Sequence, residues 1–196
     1  MNPFKFRSLA LIALLVGAPV VVTASPITFI YTGVDSGTLN GTPFSTSFTI
    51  TEMSDSSNLQ SCGGACNFID ATSAKIVLNG VGTFDFTQGT RTFDNNGAVG
   101  FSRAGLSGAD LIDIFSVPLS YDMASSIGPV PGPGAGALQW AGGVSTSGGL
   151  LVLDNGGSDY TFQAIGNATA TPEPATLSLL GLALAGFGLA RRKRAG

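Results

Sequence analysis

Short alternations of apolar and polar residues run through most of the chain. Between residues 27 and 166 these runs are rich in Thr, Val, Ile and Phe, and turn residues separate them. Alternation with period two is typical of β-strands with one buried face, and no helical stripe longer than a turn or two interrupts it. The pattern predicts strands at residues 27–34, 45–51, 73–78, 81–87, 90–93, 99–102, 109–115, 138–144, 149–153 and 160–166.

This spacing of strands predicts one exported all-β domain at residues 25–166. An antiparallel β-sandwich of jelly-roll type is the architecture that fits best, and a barrel stays open because strand order cannot be read from alternation. Asn79-Gly80 predicts a hairpin with a type I′ turn, because Asn and Gly accept its positive φ values. Residues 128–136 (GPVPGPGAG) predict an exposed loop without a stable element.

The first 24 residues have the pattern of a secretory signal peptide. Lys5 and Arg7 precede an apolar run at residues 9–22, and small residues follow. We predict cleavage between Ala24 and Ser25, because a cut one residue later would leave Pro26 first. An uncleaved anchor is the alternative, although the run is short for a membrane span.

The C-terminal end has a different pattern, in three parts. Pro172, Glu173 and Pro174 follow a short linker at residues 167–171, an apolar run covers residues 175–190, and a basic tail closes the chain. The tail consists of Arg191, Arg192, Lys193 and Arg194. An apolar helix of about 24 Å is slightly short for a bilayer, and snorkelling arginines compensate. Cations at both ends stay in the cytoplasm, so the pattern predicts a transmembrane helix at residues 175–190.

Residues 172–194 resemble the PEP-CTERM sorting signal of Gram-negative bacteria, with all three parts in order. The resemblance implies that an exosortase, a membrane protease-transpeptidase, recognises Pro172, Glu173 and Pro174. It also implies an inner-membrane precursor that is delivered to the cell surface or the extracellular matrix of a biofilm. The alternative is a plain anchor helix, with the prolines ending the preceding structure and Glu173 at the helix N-terminus.

The charge distribution limits the classes of partner that the exported domain can bind. The whole chain has a formal charge of −3, but from Pro26 to Pro174 three cations face twelve carboxylates. This acidic domain repels phosphate backbones, so we expect no nucleic acid partner and leave neutral polysaccharide open. Asn40 and Asn167 begin N-glycosylation sequons, which carry little weight in a bacterium.

Cys62 and Cys66 enclose a three-residue loop in a protein bound for an oxidising compartment. A disulfide is the expected state. Free thiols are the first alternative, and a zinc site is the weaker one, because the chain contains no histidine to complete it. The Asp/Asn/Gly segments at residues 94–97 and 154–159 lack the full ligand spacing of a calcium loop, so we interpret them as turns. The sequence predicts no metal and no cofactor.

Candidate catalytic chemistry is sparse. The absence of histidine removes the commonest general base and the Ser-His couples, and no nucleophile elbow or phosphate-binding loop occurs. Glu52 is the only Glu before the sorting signal, and Trp140 is expected in the core and not on a sugar-binding surface. We therefore expect a non-enzymatic envelope or biofilm-matrix protein. A carbohydrate-binding, lectin-like module is the alternative, and a small secreted enzyme is a third interpretation.

Overall fold

A computed structural model describes residues 25–105, 109–132 and 139–166, and this part of the chain is almost entirely β-structure. Two 3₁₀ turns, Ser56–Asn58 and Trp140–Gly142, accompany the strands. The strands are β1 Pro26–Leu39, β2 Thr42–Asp55, β3 Gln60–Gly63, β4 Cys66–Leu78, β5 Gly82–Asp85, β6 Thr90–Asn95, β7 Ala98–Arg103, β8 Asp110–Ile114, β9 Ile127–Pro131, β10 Val144–Thr146, β11 Gly149–Leu153 and β12 Ser158–Gly166.

The strands form one curled antiparallel sheet, so the predicted all-β, antiparallel class is confirmed. The main order is β10-β11-β1-β2-β4-β6-β7-β8, and β12 lies between β1 and β9. The long strands change partners along their length. β1 pairs first with β12 and then with β11. β4 pairs with β6 through residues 66–70 and with β2 through residues 71–78. The order departs from a sequence of hairpins at several points, and at one of them the last described strand, β12, pairs with the first, β1.

The sheet curls around one hydrophobic core, to which strands from different parts of the sheet contribute side chains. Tyr31 of β1 packs on Phe101 of β7, with ring centroids 5.9 Å apart, and on Phe162 of β12 at 5.4 Å. Trp140 is fully buried, as predicted, and its Nε1 donates to the Leu111 carbonyl at 2.7 Å. Aromatic side chains therefore connect opposite parts of the sheet.

Two other hairpins have two-residue turns, and one of them lies within residues 94–97, where the sequence predicted a turn. Asn40 and Gly41 both have positive φ and join β1 to β2, and Asn96 and Gly97 do the same between β6 and β7. The hairpin at Asn79-Gly80 exists, but its type I′ turn was a wrong prediction. Three residues separate the paired Leu78 and Gly82, and Asn79 is not left-handed. A type I′ turn needs a two-residue connection with positive φ at both positions.

Two predicted segments have another structure. Residues 127–131, expected to begin a loop, form β9, which has a described partner only on its β12 side. Prolines lack the N–H donor of a ladder, and an edge strand tolerates that loss. Residues 138–144, expected to be a strand, contain the 3₁₀ turn of Trp140 instead, followed by Gly143 with a φ of 68°.

The predicted signal peptide, linker, sorting signal, transmembrane helix and basic tail lie outside the described residues. Within residues 25–105, 109–132 and 139–166, none of the helical segments has the length and apolar character needed to cross a bilayer.

Candidate functional site

A groove of about 510 Å³ lies on the outer face of the sheet formed by β4, β6, β7 and β8. We call it the β4–β8 groove. Its lining includes Phe68 of β4, Arg91, Phe93 and Asn95 of β6, and Asp110 of β8. Two smaller depressions of about 400 and 370 Å³ lie elsewhere on the sheet. The β4–β8 groove is distinguished from both by two aromatic side chains beside an arginine and a carboxylate.

Strand alternation places these side chains outside. In β4, Ile69 faces the core while Phe68 faces outward, and in β6 the buried Thr92 separates Arg91 from Phe93. Successive side chains of a strand point to opposite faces, so the polar and aromatic set of each strand shares one side. The register then aligns the sets, because Phe68 is paired directly with Phe93.

Arg91 is held in place by two contacts. Its Nε donates to Asp70 Oδ1 at 2.9 Å, and its guanidinium lies 4.1 Å from the centre of the Phe68 ring. A cation above an aromatic face is attracted by the ring quadrupole, and the ion pair neutralises the charge. Arg91 therefore forms a fixed wall of the groove.

Phe93 lies against β7 at a position without a side chain. A Cβ on Gly100 would come within 2.3 Å of Cε1 and Cζ of the Phe93 ring and within 2.6 Å of Asp113 Oδ1. These separations are far below van der Waals contact, so Phe93 and Asp113 take their positions because residue 100 is glycine. Gly100 thus sets the floor of the groove.

Two carboxyl groups of β8 lie beside this floor. Burial raises the pKa of Asp110 above its usual value, and burial together with repulsion from Asp110 raises the pKa of Asp113 to about 6. Asp113 Oδ1 is buried and has no hydrogen-bond partner among the described residues. Desolvation disfavours the charged form of a carboxyl group, so Asp113 holds its proton more tightly than an exposed aspartate.

The rim of the groove carries the predicted disulfide. Cys62 of β3 and Cys66 of β4 are bonded, with Cα atoms 5.1 Å apart, so this prediction is confirmed. The pair closes the β3–β4 hairpin, in which Gly63 and Gly64 both have positive φ. The bond therefore holds a glycine-rich turn at the edge of the groove.

The only glutamate of the described residues lies in the core and not in the groove. Glu52 is fully buried, and desolvation raises its pKa to about 7 despite the hydrogen bond between its Oε2 and Thr92. Thr92 Oγ1 also lies 2.9 Å from Tyr31 Oη, which donates to the Gly100 carbonyl at 3.0 Å. If Glu52 is ionised, Thr92 donates its hydroxyl proton to Glu52. The single hydroxyl proton of Tyr31 can then be donated to Thr92 or to the Gly100 carbonyl, so one of these two contacts lacks a proton. A protonated Glu52 donates to Thr92, Thr92 to Tyr31 and Tyr31 to Gly100, which satisfies every contact.

The turn segments carry structural hydrogen bonds of the kind expected from the sequence. Asp94 Oδ1 accepts from the Gly97 backbone N–H at 3.0 Å, which is the role of a turn aspartate. In the second segment, Asp154 Oδ2 accepts from the Ser36 hydroxyl at 2.8 Å. The first interaction closes the β6–β7 turn, and the second ties the turn after β11 to the neighbouring strand β1.

Of the residues predicted to take part in processing, the structure describes only Ser25. Ser25 begins the described chain, and its backbone N–H donates to Asp55 Oδ1 at 3.0 Å. Its cleavage partner Ala24 lies outside the described residues. So do the motif Pro172, Glu173 and Pro174 and the tail of Arg191, Arg192, Lys193 and Arg194. Their predicted roles stay predictions at the level of geometry.

Sequence reasoning missed the β4–β8 groove. The strand predicted at residues 90–93 contained Arg91 and Phe93, but no strand was predicted around Phe68, which lies in the first half of β4. The sequence carried no signal that the two strands are neighbours, because β5 separates them along the chain.

Comparison with protein families identifies the C-terminal segment. The family model of the PEP-CTERM protein-sorting motif matches residues 170–194, so the chain carries this motif, as the sequence predicted. The motif indicates an exported protein that an exosortase processes and that reaches the cell surface. No curated protein and no solved structure matches the chain.

Proposed function

We propose that this chain is a non-enzymatic component of the cell envelope or of a biofilm matrix. The observation that carries the proposal is the sorting motif at residues 170–194. In this proposal the precursor is held in the inner membrane by a helix at residues 175–190, with the basic tail in the cytoplasm. Exosortase then acts near Glu173 and delivers the β-domain outward.

A non-enzymatic role is supported by the placement of the ionisable groups. The chain contains no histidine, and Glu52 is enclosed in the core, where no substrate reaches it. Asp110 and Asp113 are the two carboxyl groups of raised pKa beside the groove. Burial accounts for the raised pKa of Asp110, and burial together with repulsion from Asp110 accounts for that of Asp113. A screen for reducing ends released from polysaccharides tests the point, and hydrolysis that disappears in Asp113→Asn would contradict it.

The sorting step is tested by following both ends of the protein in its native host. An internally tagged copy is compared with Glu173→Ala by intact mass and cell fractionation. Thr176→Ala is the matched control, since it makes the same kind of truncation outside the Pro-Glu-Pro motif. We expect the tagged protein and the control to lose the arginine-rich tail and reach the surface or medium. Glu173→Ala should stay full-length in the inner membrane.

A different outcome would change the assignment. If the tagged protein and Glu173→Ala both keep the tail and stay in the membrane, the protein is an ordinary anchored surface domain. The motif would then serve only as a membrane anchor.

Carbohydrate binding is the second candidate function, and the β4–β8 groove favours it. Phe68 and Phe93 lie side by side on an outer sheet face, where aromatic rings would otherwise be expected to turn inward. Glycan arrays separate a binding module from a passive matrix component. Retention of the protein by at least one glycan, at a salt concentration that screens surface charge, is the result expected of a binding module.

A further inference from the structure

We propose that the β4–β8 groove is a binding site for a neutral, hydroxyl-rich saccharide. This inference rests on the carbohydrate-binding candidate above and locates it on named residues. The groove has about 510 Å³, which lies within the range of roughly 300–1,000 Å³ typical of small-molecule sites.

The apolar part of the site is a pair of phenylalanines. Phe68 and Phe93 occupy directly paired positions of β4 and β6 on the groove face, and both remain partly accessible to solvent. Directly paired side chains on adjacent strands have Cβ atoms about 5 Å apart, so the two phenylalanines start from neighbouring positions, and the Phe93 ring extends over Gly100 of β7. Arg91 covers part of Phe68, which leaves Phe93 as the ring for the C–H face of a sugar.

The polar part of the site offers both donors and acceptors. Arg91 contacts Asp70 through Nε, so its terminal nitrogens are available to donate to sugar oxygens. The Asp110 carboxyl group accepts from sugar hydroxyls, and the Asn95 amide both donates and accepts. A few fixed polar groups around an apolar surface are the usual composition of a site for a small polar ligand.

The charge of the groove and of the surrounding domain favours neutral saccharides over anionic ones. The guanidinium of Arg91 is paired with Asp70, and Asp110 adds an unpaired carboxyl group to the lining. The surrounding domain carries far more carboxylates than cations. Sulfated or uronic-acid polymers would be repelled, whereas neutral hydroxyls compensate the carboxyl group by hydrogen bonds.

The experiment measures binding of defined oligosaccharides to the full chain in a detergent without a sugar head group. Isothermal titration calorimetry is performed with cellohexaose, chitohexaose and, as the anionic probe, a hyaluronan hexasaccharide. Phe93→Ala removes the stacking ring, Asn95→Ala removes an exposed polar group, and Leu150→Ala is the control on the distant β11. We expect a neutral probe to bind, an about tenfold weaker affinity in Phe93→Ala, a weaker affinity in Asn95→Ala, and no change in the control.

Each other outcome contradicts a different part of the inference. Binding of a neutral probe that both groove variants retain would place the saccharide elsewhere and leave the carbohydrate-binding candidate standing. Binding of the anionic probe alone would refute the charge argument. No binding of any probe by the folded protein would remove both the groove assignment and the candidate function. If Phe93→Ala fails to fold, the exposed Asn95→Ala still decides the question.

Discussion

Replacing the buried Glu52 by glutamine should remove a large part of the pH dependence of stability. The pKa of Glu52 is about 7 in the folded protein, against 4.5 for an ordinary glutamate. The folded state therefore binds the proton more tightly than the unfolded state. Between about pH 4.5 and pH 7 unfolding releases this proton, so the free energy of unfolding falls as the pH rises. The contribution is complete below the unfolded pKa and is lost as the pH passes the folded one.

The size of the effect follows from the pKa difference. One pKa unit corresponds to about 1.4 kcal/mol, so the difference at Glu52 corresponds to about 3 kcal/mol. Glu52→Gln keeps the size of the side chain and a hydrogen-bond donor toward Thr92, but it carries no charge at any pH. Relative to the variant, the natural protein should therefore lose about 3 kcal/mol between pH 4.5 and pH 8.

Urea unfolding at several pH values, followed by tryptophan fluorescence, measures this difference. The chain has one tryptophan, and Trp140 is buried in the β-domain, so the signal reports that domain alone. Burial also raises the pKa of Asp35, Asp94, Asp110 and Asp113. These groups contribute a slope of the same sign, but both proteins share it.

Asp159→Asn is the matched control, because it removes a carboxyl group from an exposed position at the start of β12. The control should follow the pH profile of the natural protein. Parallel profiles for the natural protein and Glu52→Gln would refute the conclusion that Glu52 is protonated in the folded core.

Three further predictions concern other parts of the fold. Gly100→Ala should lower the free energy of unfolding by about 1–3 kcal/mol, because its Cβ collides with the groove floor, whereas Gly142→Ala, which has open space, should be nearly neutral in the same urea titration. Asp55→Asn should lower the melting temperature most when cleavage has made Ser25 the charged N-terminus, and high salt should reduce the loss. Hydrogen bonds lower the pKa of Asp55, so the stability that it contributes should disappear as the pH falls below about 4. Trp140→Phe should lower the free energy of unfolding by about 1–3 kcal/mol, because it leaves the Leu111 carbonyl unpaired. Urea unfolding followed by circular dichroism measures this loss.

Local information in the sequence was sufficient for several features. Alternation identified most strands, including those at β6 and β8, because the period of a strand is local. The pattern of apolar and basic residues at the C-terminus identified the sorting motif without any folded structure. The short spacing between Cys62 and Cys66 indicated the disulfide, since residues four apart are close in any compact turn.

The remaining features depended on contacts between distant segments. The strand of residues 127–131 forms because β12 supplies a partner, and Trp140 leaves the predicted strand because the Leu111 carbonyl is placed to accept its N–H. Glu52 became a buried acid only when the curl of the sheet enclosed it with Tyr31.

The groove shows the same division between sequence and structure. Alternation in the strand predicted at residues 90–93 places Arg91 and Phe93 on one face. Only the folded sheet extends β4 to Phe68 and pairs it with Phe93. The physical reason is that side-chain direction follows from the backbone of one strand. The choice of a neighbouring strand depends on how the whole sheet buries its apolar face.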